Sequence, residues 1–289
     1  MWKILKKLKF TPVITPFFHN KVDLEIMKVH IKNLIKKGID GIFICGSTSL
    51  CPSLSFPERL QMFDSLEPFY DRIILQVGSL NIEESLHLSE LAKKAGVMAI
   101  AAYPPYYYPN IIENTIEKYY LKLSSIFPTF VYNFPAAIGR DVNARIVKNV
   151  NRNGGNLVGV KDTVNDPAHM LNFKYELGDD FIVLSGPDFL ILNSIRLGID
   201  GVVAGSSNYA PELIKEMFET NDLKKMMRNQ RKINDLVLLA REYGQFAANY
   251  ILIEALQGYS VGEPRPPIFP VDDDIKSELA EKARMIYFS

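Results

Sequence analysis

The sequence predicts an α/β protein, a closed (β/α)8 barrel with a helical layer appended toward the C-terminus. Three observations predict it. Short apolar, β-branched runs alternate with amphipathic helical patterns along most of the 289 residues. Several of those runs are continuously apolar, as parallel strands buried on both faces must be. The same joint also recurs where a helix gives way to a strand. Gly38-Ile39-Asp40-Gly41 and Gly198-Ile199-Asp200-Gly201 are two copies, and Gly96-Val97-Met98-Ala99 is a weaker third. A glycine just past a helix adopts the left-handed backbone that caps it, so recurrence of this joint marks a repeated βα unit. Eight such units close a TIM barrel of about 250 residues. An open doubly wound sheet would instead carry a Gly-rich phosphate loop after its first strand. Thr11-Pro12-Val13-Ile14-Thr15-Pro16-Phe17 is not such a loop.

Strands are expected near residues 12–15, 41–45, 73–77, 97–102, 129–132, 157–161, 181–185 and 201–204. In the first connecting segment Leu24, Met27, Ile31, Leu34 and Ile35 fall on one face of a helix. After residue 210 the pattern turns helical, near 212–219, 222–243, 246–257 and 275–286. The barrel is therefore expected over residues 1–210 and its helical layer over 211–289, packed as one structural unit. A Pro-rich stretch, Gly262-Glu263-Pro264-Arg265-Pro266-Pro267-Ile268-Phe269-Pro270, reads as an ordered strap before the last helix. The N-terminal Met1-Trp2-Lys3-Ile4-Leu5-Lys6-Lys7 reads as a basic lead-in, without the apolar segment and cleavage site of a secretion signal.

Composition excludes several functions. Lys+Arg and Asp+Glu are both 33, so the chain has no formal net charge and lacks the basic excess of a nucleic-acid binder. A hydrophobic fraction of 47% excludes a disordered chain. No apolar run approaches the ~18 residues of a membrane span. Two cysteines make no disulfide framework, which fits a reducing, cytoplasmic setting.

In a barrel the site lies where the strands end at their C-terminal side. There the sequence places Gly46-Ser47-Thr48-Ser49, Tyr103-Pro104-Pro105-Tyr106-Tyr107-Tyr108, Tyr132-Asn133, Lys161-Asp162-Thr163, Ser185-Gly186-Pro187-Asp188 and Gly205-Ser206-Ser207-Asn208. Lys161 stands out, because it closes an apolar strand and lysine is almost never fully buried unless paired. It is either a structural ammonium paired with Asp162 or Asp188, or a desolvated amine. A free lysine, with a pKa near 10.4, is neutral in only about four molecules in ten thousand at pH 7. Burial that favours the neutral amine makes it a nucleophile able to form a Schiff base with a ketone. Tyr132, ending the neighbouring strand, either fills the barrel or shuttles a proton, since a phenol can donate and accept. The histidines, His19, His30, His87 and His169, show no i, i+4 pairing and read as surface or structural. Cys45 reads as a small buried hydrophobe, and Cys45 with Cys51 makes no zinc site.

Taken together, several motifs resemble the dihydrodipicolinate synthase / N-acetylneuraminate lyase family of class I, pyruvate-dependent barrels. They are Gly46-Ser47-Thr48, Tyr106-Tyr107, Tyr132-Asn133-Phe134-Pro135 and Gly159-Val160-Lys161-Asp162-Thr163, in that order on those strand ends. The tail Pro264-Arg265-Pro266-Pro267-Ile268-Phe269-Pro270 resembles the family's archaeal 2-keto-3-deoxygluconate aldolases. The resemblance implies that Lys161 forms the Schiff base and Tyr132 moves the proton. It implies that Ser47 links Tyr132 to Tyr107 reaching across a dimer interface, and that Thr48 holds the pyruvate carboxylate. Thr163, Gly186 and Asp188 match the aldehyde half of the site, and Gly205 and Pro12 are counted with the substrate-binding residues. It further implies reversible cleavage of 2-keto-3-deoxygluconate to pyruvate and glyceraldehyde, no metal or other cofactor, and a homotetramer built as a dimer of dimers. Small molecules are the expected partners, with neither nucleic acid nor membrane. The alternatives are a dihydrodipicolinate synthase-type condensation and a non-catalytic barrel scaffold. Against the former, Ala137 stands where that branch carries a carboxylate-binding Arg, and Leu50 replaces a family Glu. A preference for the non-phosphorylated sugar acid is expected, because Asn110 stands where phosphate-accepting relatives carry Arg and Phe134 offers no phenol. Asp188 would repel a phosphate, whereas Arg241 matches a basic position of those relatives.

Overall fold

A computed structural model describes residues 7–289 of the chain, so the basic lead-in lies outside the described residues except for Lys7. Strand β1 (Leu8–Pro12) is followed by a small antiparallel hairpin, β2 (Phe17–Phe18) and β3 (Lys21–Val22). The remaining strands are β4 (Gly41–Ile44), β5 (Ile73–Gln76), β6 (Ala99–Ala102), β7 (Thr129–Asn133), β8 (Leu157–Asp162), β9 (Ile182–Ser185) and β10 (Gly201–Val203). Their order, β1-β10-β9-β8-β7-β6-β5-β4, closes into the expected eight-stranded barrel. β4, β5, β6 and β9 are buried at every residue, which is why their sequences are apolar runs rather than alternating, with a polar residue only at the C-terminal ends of β5 (Gln76) and β9 (Ser185).

The first strand lies earlier than the expected 12–15. Leu8 and Phe10 are buried on either side of the half-buried Lys9, directly after the basic lead-in. Lys9 is accommodated because its backbone N–H and its ammonium both donate to Asp40, at 2.9 and 2.7 Å. The ladder stops at Pro12, after which Val13 to Thr15 stay buried as a connector. The other seven strands match their expected positions to within two residues at either end. Gly38, Gly96 and Gly198 have φ of 94°, 71° and 73°, the left-handed backbone that the recurring joints predicted.

The described chain divides into two compact units. One contains Glu67–Val203, with β5 to β10 and the intervening helices α3 (Ile82–Ala95), α4 (Glu113–Ser124), α5 (Pro135–Ile138), α6 (Ala144–Arg152), α7 (Pro167–Leu177) and α8 (Ile191–Arg196). The other contains Lys9–Leu66 and Ala204–Ser289. It holds β4, α1 (Leu24–Lys36), α2 (Phe56–Ser65) and four C-terminal helices. These are α9 (Pro211–Glu219), α10 (Leu223–Glu242), α11 (Gln245–Gln257) and α12 (Asp273–Phe288), each within two residues of expectation. Asp23 caps α1, and Ser55 with Glu58 forms a capping box on α2.

In this second unit the Pro-rich strap is pinned by Arg265. Its guanidinium donates to both Glu58 oxygens at 2.6 and 2.8 Å, donates to the Ser53 carbonyl, and lies 4.7 Å over the Phe17 ring. The hydrogen bonds from Arg265, and then those from Ser55, hold the Glu58 carboxyl down at about 2. A cavity of about 500 Å³ opens beside the strap, walled in part by Phe17, Tyr250 and Arg265. It contains none of the residues expected to be functional.

Candidate active site

Lys161 and Tyr132 meet side by side. β7 and β8 pair in parallel with Tyr132 opposite Lys161 and Asn133 opposite Asp162. Residues in register on neighbouring strands point to the same face, so the amine and the phenol share one face and the next pair takes the other. Lys161 is 4% exposed and Tyr132 2%, and the Lys161 ammonium lies 4.0 Å from the centroid of the Tyr132 ring. The aromatic face is attractive to a cation, and the phenol is held beside the nitrogen. Tyr132 is flanked in turn by Phe134, stacked at 6.1 Å, and by Tyr103 at 6.2 Å, which meets Tyr106 edge-on at 5.3 Å. The sequence places these phenols at neighbouring strand ends; the ring-to-ring contacts, and Phe134 among them, are what the structure adds.

The Asp162 considered as a partner for Lys161 is engaged on the opposite face. Its carboxylate accepts from the Asn133 amide at 3.0 Å, from the Val164 N–H at 3.2 Å and from His169 Nδ1 at 2.7 Å. His169 Nε2 reaches Asp141 at 3.2 Å, and the Asn133 amide donates to Asp141 at 2.7 Å. Hydrogen bonds to Asp141 and then to Asp162 push the His169 imidazole up to about 10. Hydrogen bonds from His169 and Asn133 outweigh burial and hold Asp141 below the usual carboxylate range. His169 is therefore the centre of a polar cluster rather than an incidental histidine. The signal was a His in the first turn of the helix that follows Lys161-Asp162.

Thr163 and Gly186 adjoin the same strand ends. Thr163 donates through its N–H and hydroxyl to the Asn133 carbonyl, at 3.0 and 2.7 Å, and Gly186 N–H donates to the Asp162 carbonyl at 2.7 Å. A Cβ at 186 would fall 2.6 Å from the Thr163 methyl, so glycine is required for this approach. Asp188 starts a short 3-10 turn after Gly186 and Pro187 and is half-buried. Tyr107 sits in the loop after β6 with φ of 71° and is 82% exposed. Arg140 props this loop, donating to the Tyr108 and Ile111 carbonyls at 2.7 and 3.1 Å.

In the other unit, Ser47 and Thr48 are half-buried in the turn after β4. That turn is stitched to the connector after β1. Thr15 donates to the Ser49 carbonyl at 2.7 Å, and Ser49 donates to the Val13 carbonyl at 2.5 Å. Gly205 opens a 3-10 turn whose Asn208 donates to the Pro12 and Gly205 carbonyls at 2.9 and 3.0 Å. Asn208 also bonds His30 at 3.1 Å, and His30 meets Tyr259 at 2.8 Å. His30 is fully buried, and desolvation lowers its imidazole to about 4. It is structural, as expected, while His19 and His87 are exposed. Cys45 and Cys51 are buried. Among the described residues no group of three or more His, Cys, Asp or Glu side chains could hold a metal ion, and no helix is long and apolar enough to cross a membrane.

Residues 6–286 match the dihydrodipicolinate synthetase family. The chain belongs to that family. Among curated family members it is 38% identical over 292 residues to a 2-dehydro-3-deoxy-phosphogluconate/2-dehydro-3-deoxy-6-phosphogalactonate aldolase of Saccharolobus solfataricus, covering 99% of this chain and 93% of the relative. It is 40% identical over 282 residues to a 2-dehydro-3-deoxy-D-gluconate/2-dehydro-3-deoxy-phosphogluconate aldolase of Thermoproteus tenax, covering 96% and 90%. The crystal structure of the KD(P)G aldolase from T. tenax superposes with a TM-score of 0.92 at 38% identity, covering 96% of this chain and 98% of that one. A Sulfolobus 2-keto-3-deoxygluconate aldolase in complex with D-KDPG superposes with a TM-score of 0.91 at 38% identity, covering 96% of both chains.

Proposed function

We propose that this family member is a Schiff-base aldolase, a lyase that reversibly cleaves 2-keto-3-deoxygluconate to pyruvate and glyceraldehyde. The observation that carries the reading is the buried Lys161 amine lying 4.0 Å over the Tyr132 ring, in register on adjacent strands. The amine adds to the C2 carbonyl, and loss of water leaves an iminium. The C4 hydroxyl gives its proton toward the Tyr132 oxygen, the C3–C4 bond breaks, and its electron pair enters the iminium to make an enamine as glyceraldehyde leaves. A proton then returns to C3, and water adds at C2 to release pyruvate and regenerate the amine. The iminium does the polarising, so the scheme calls on no metal or other cofactor. Thr163, Gly186 and Asp188 serve the aldehyde half, Thr48 holds the pyruvate carboxylate, Ser47 links Tyr132 to the relay, and Pro12 and Gly205 are counted with the substrate-binding residues. Incubation with pyruvate and borohydride, followed by intact mass and peptide mapping, tests this. A single adduct on Lys161 is expected, and modification of another lysine in an active enzyme overturns the mechanism.

The same reading takes Tyr107 as a residue given to a second copy in a dimer of dimers. Its exposure and the Arg140 prop support this, because the loop is held with a phenol directed away from its own core. Mixing Tyr107→Phe with Lys161→Ala subunits should restore one intact site per mixed dimer. Verified subunit exchange with no recovered activity refutes it.

A preference for the non-phosphorylated acid is part of the proposal. Asn110 and Phe134 offer a phosphate no charge, and Asp188 opposes one. Arg241 leaves some phosphate binding, so kcat/KM should favour the free sugar acid by about tenfold to a hundredfold, or ~1.4–2.8 kcal/mol. Equal values for the 6-phosphate sink this part alone.

A further inference from the structure

Behind the Lys161–Tyr132 pair, one residue further along each strand, the side chains form a closed ring of hydrogen bonds. Asn133 donates from one amide nitrogen to both Asp162 and Asp141, at 3.0 and 2.7 Å. His169 bonds the same two carboxylates from its two ring nitrogens, at 2.7 and 3.2 Å. Two acceptors thus alternate with two donors around the ring. A carboxylate only accepts, so each of them needs an N–H from the imidazole. Only a doubly protonated ring supplies both; a neutral imidazole would turn a lone pair toward one carboxylate. The Asn133 side-chain oxygen is also used, accepting from the Val142 N–H at 3.0 Å.

The ring joins the ends of β7 and β8 to the first turn of α7 and to the segment after α5. Its members on the strands are the immediate chain neighbours of Tyr132 and Lys161. Asp162 is fully buried, whereas Asp141 is 43% exposed along its side chain. Without His169 the buried Asp162 loses its counter-charge while facing Asp141, and like charges at close range repel. The relief available is separation of the two strand ends, the movement that would displace the amine from the phenol.

We propose that His169 is a positioning residue for Lys161 and Tyr132, clamping Asp162 and Asp141 with Asn133 so that the two strand ends hold the amine against the phenol. The inference rests on the Schiff-base reading. The substrate's own contacts are not part of the ring, so its loss should act on turnover rather than on binding.

The test compares wild type, His169→Leu, His169→Gln and Asp141→Ala by melting temperature, steady-state kinetics with the sugar acid, and the rate of pyruvate–borohydride trapping. Misplacing reacting groups by about 1 Å can cost a hundredfold. His169→Leu is therefore expected to lower kcat about ten- to a hundredfold, with KM within about threefold of wild type and slower trapping still confined to Lys161. His169→Gln keeps an N–H donor and should recover part of kcat. Should His169→Leu fail to fold, Asp141→Ala carries the decision, since it opens the ring at its exposed member and leaves Asp162 paired with His169. A kcat decrease of about three- to tenfold with little change in melting temperature is expected there. A folded His169→Leu protein, or in its place Asp141→Ala, with wild-type kcat and trapping rate overturns the inference, even if its melting temperature has dropped. No Lys161 adduct and no turnover in the wild type itself would instead defeat the Schiff-base reading.

Discussion

Gly159→Ala tests how tightly the strand that carries Lys161 is held. Gly159 lies two residues before the lysine, on the same face of β8, in register with Phe130 on β7 and Ile182 on β9. A Cβ there would come within 2.5 Å of the Ile182 carbonyl oxygen and 2.8 Å of Phe130 Cδ1, and closer still to Phe130 Cε1. Non-bonded carbon contacts are comfortable only near 3.5–4.0 Å. The carbonyl belongs to a paired strand and the phenyl ring is fully buried, so neither yields as a flexible side chain would. Overpacking of this kind costs about 1–3 kcal/mol, and two rigid obstacles place it near the top of that range. Reduced freedom of the unfolded chain returns about 0.4–1 kcal/mol. The net loss is therefore about 2 kcal/mol, or ~3 °C in melting temperature for a chain of 289 residues. The assay is thermal unfolding by circular dichroism, with denaturant midpoints as a check, alongside kcat for the sugar acid. Turnover should fall as well, because the strand must shift to admit the methyl. A melting temperature at or above wild type refutes the packing argument. Lower stability with unaltered kcat would show that Lys161 is placed independently of the strand segment before it.

Four further outcomes are expected. Lys161→Arg should fold and be inactive, measured as loss of turnover with a native melting curve, because a guanidinium cannot shed the proton that nucleophilic attack requires. His30, neutral in the folded chain with its pKa lowered from 6.5 to about 4, should make stability fall as pH drops from about 6.5 through 4. The denaturant midpoint of His30→Gln should lose part of that slope. Conversely His169, raised from 6.5 to about 10, contributes stability that is fully present below about pH 6.5 and is lost as pH rises through 10, so His169→Gln should flatten the alkaline limb of a midpoint-versus-pH series. Arg265→Ala should lower stability by about 2–3 kcal/mol by removing charge-assisted bonds to Glu58, and Glu58→Gln in the same background should add little further loss in a double-mutant cycle.

The barrel was legible because its signals are local. The glycines at 38, 96 and 198 need a left-handed backbone wherever a helix stops, and continuous apolar runs announce strands covered on both sides. The first strand was misplaced because its apolar run is interrupted by Lys9, whose charge is neutralised by Asp40, 31 residues away in the sequence. Lys161 and Tyr132 were legible as a cation and a phenol closing buried strands. The ring behind them was not, since it assembles Asn133, Asp141, Asp162 and His169 from four separate segments. Polar residues so scattered look like ordinary turn and helix chemistry until the strand register brings them together. The Arg265 clamp was also hidden, as a proline-rich strap does not declare which carboxylate it will meet.

The in-register placement of Tyr132 and Lys161 has a consequence for how such a scaffold can diversify. The two groups proposed to react stand on strand residues, whose spacing is fixed by backbone hydrogen bonding between β7 and β8. The segments beyond them carry Thr163, Gly186 and Asp188, the residues proposed to meet the aldehyde half of the substrate. On the proposed reading, bond-making machinery and choice of aldehyde are written in different parts of the chain. A loop can be exchanged, lengthened or recharged without re-registering the two strands, so one reaction centre can be offered to many carbonyl partners. Insertion or deletion of a single strand residue would turn either group to the opposite face and end the chemistry for all of them.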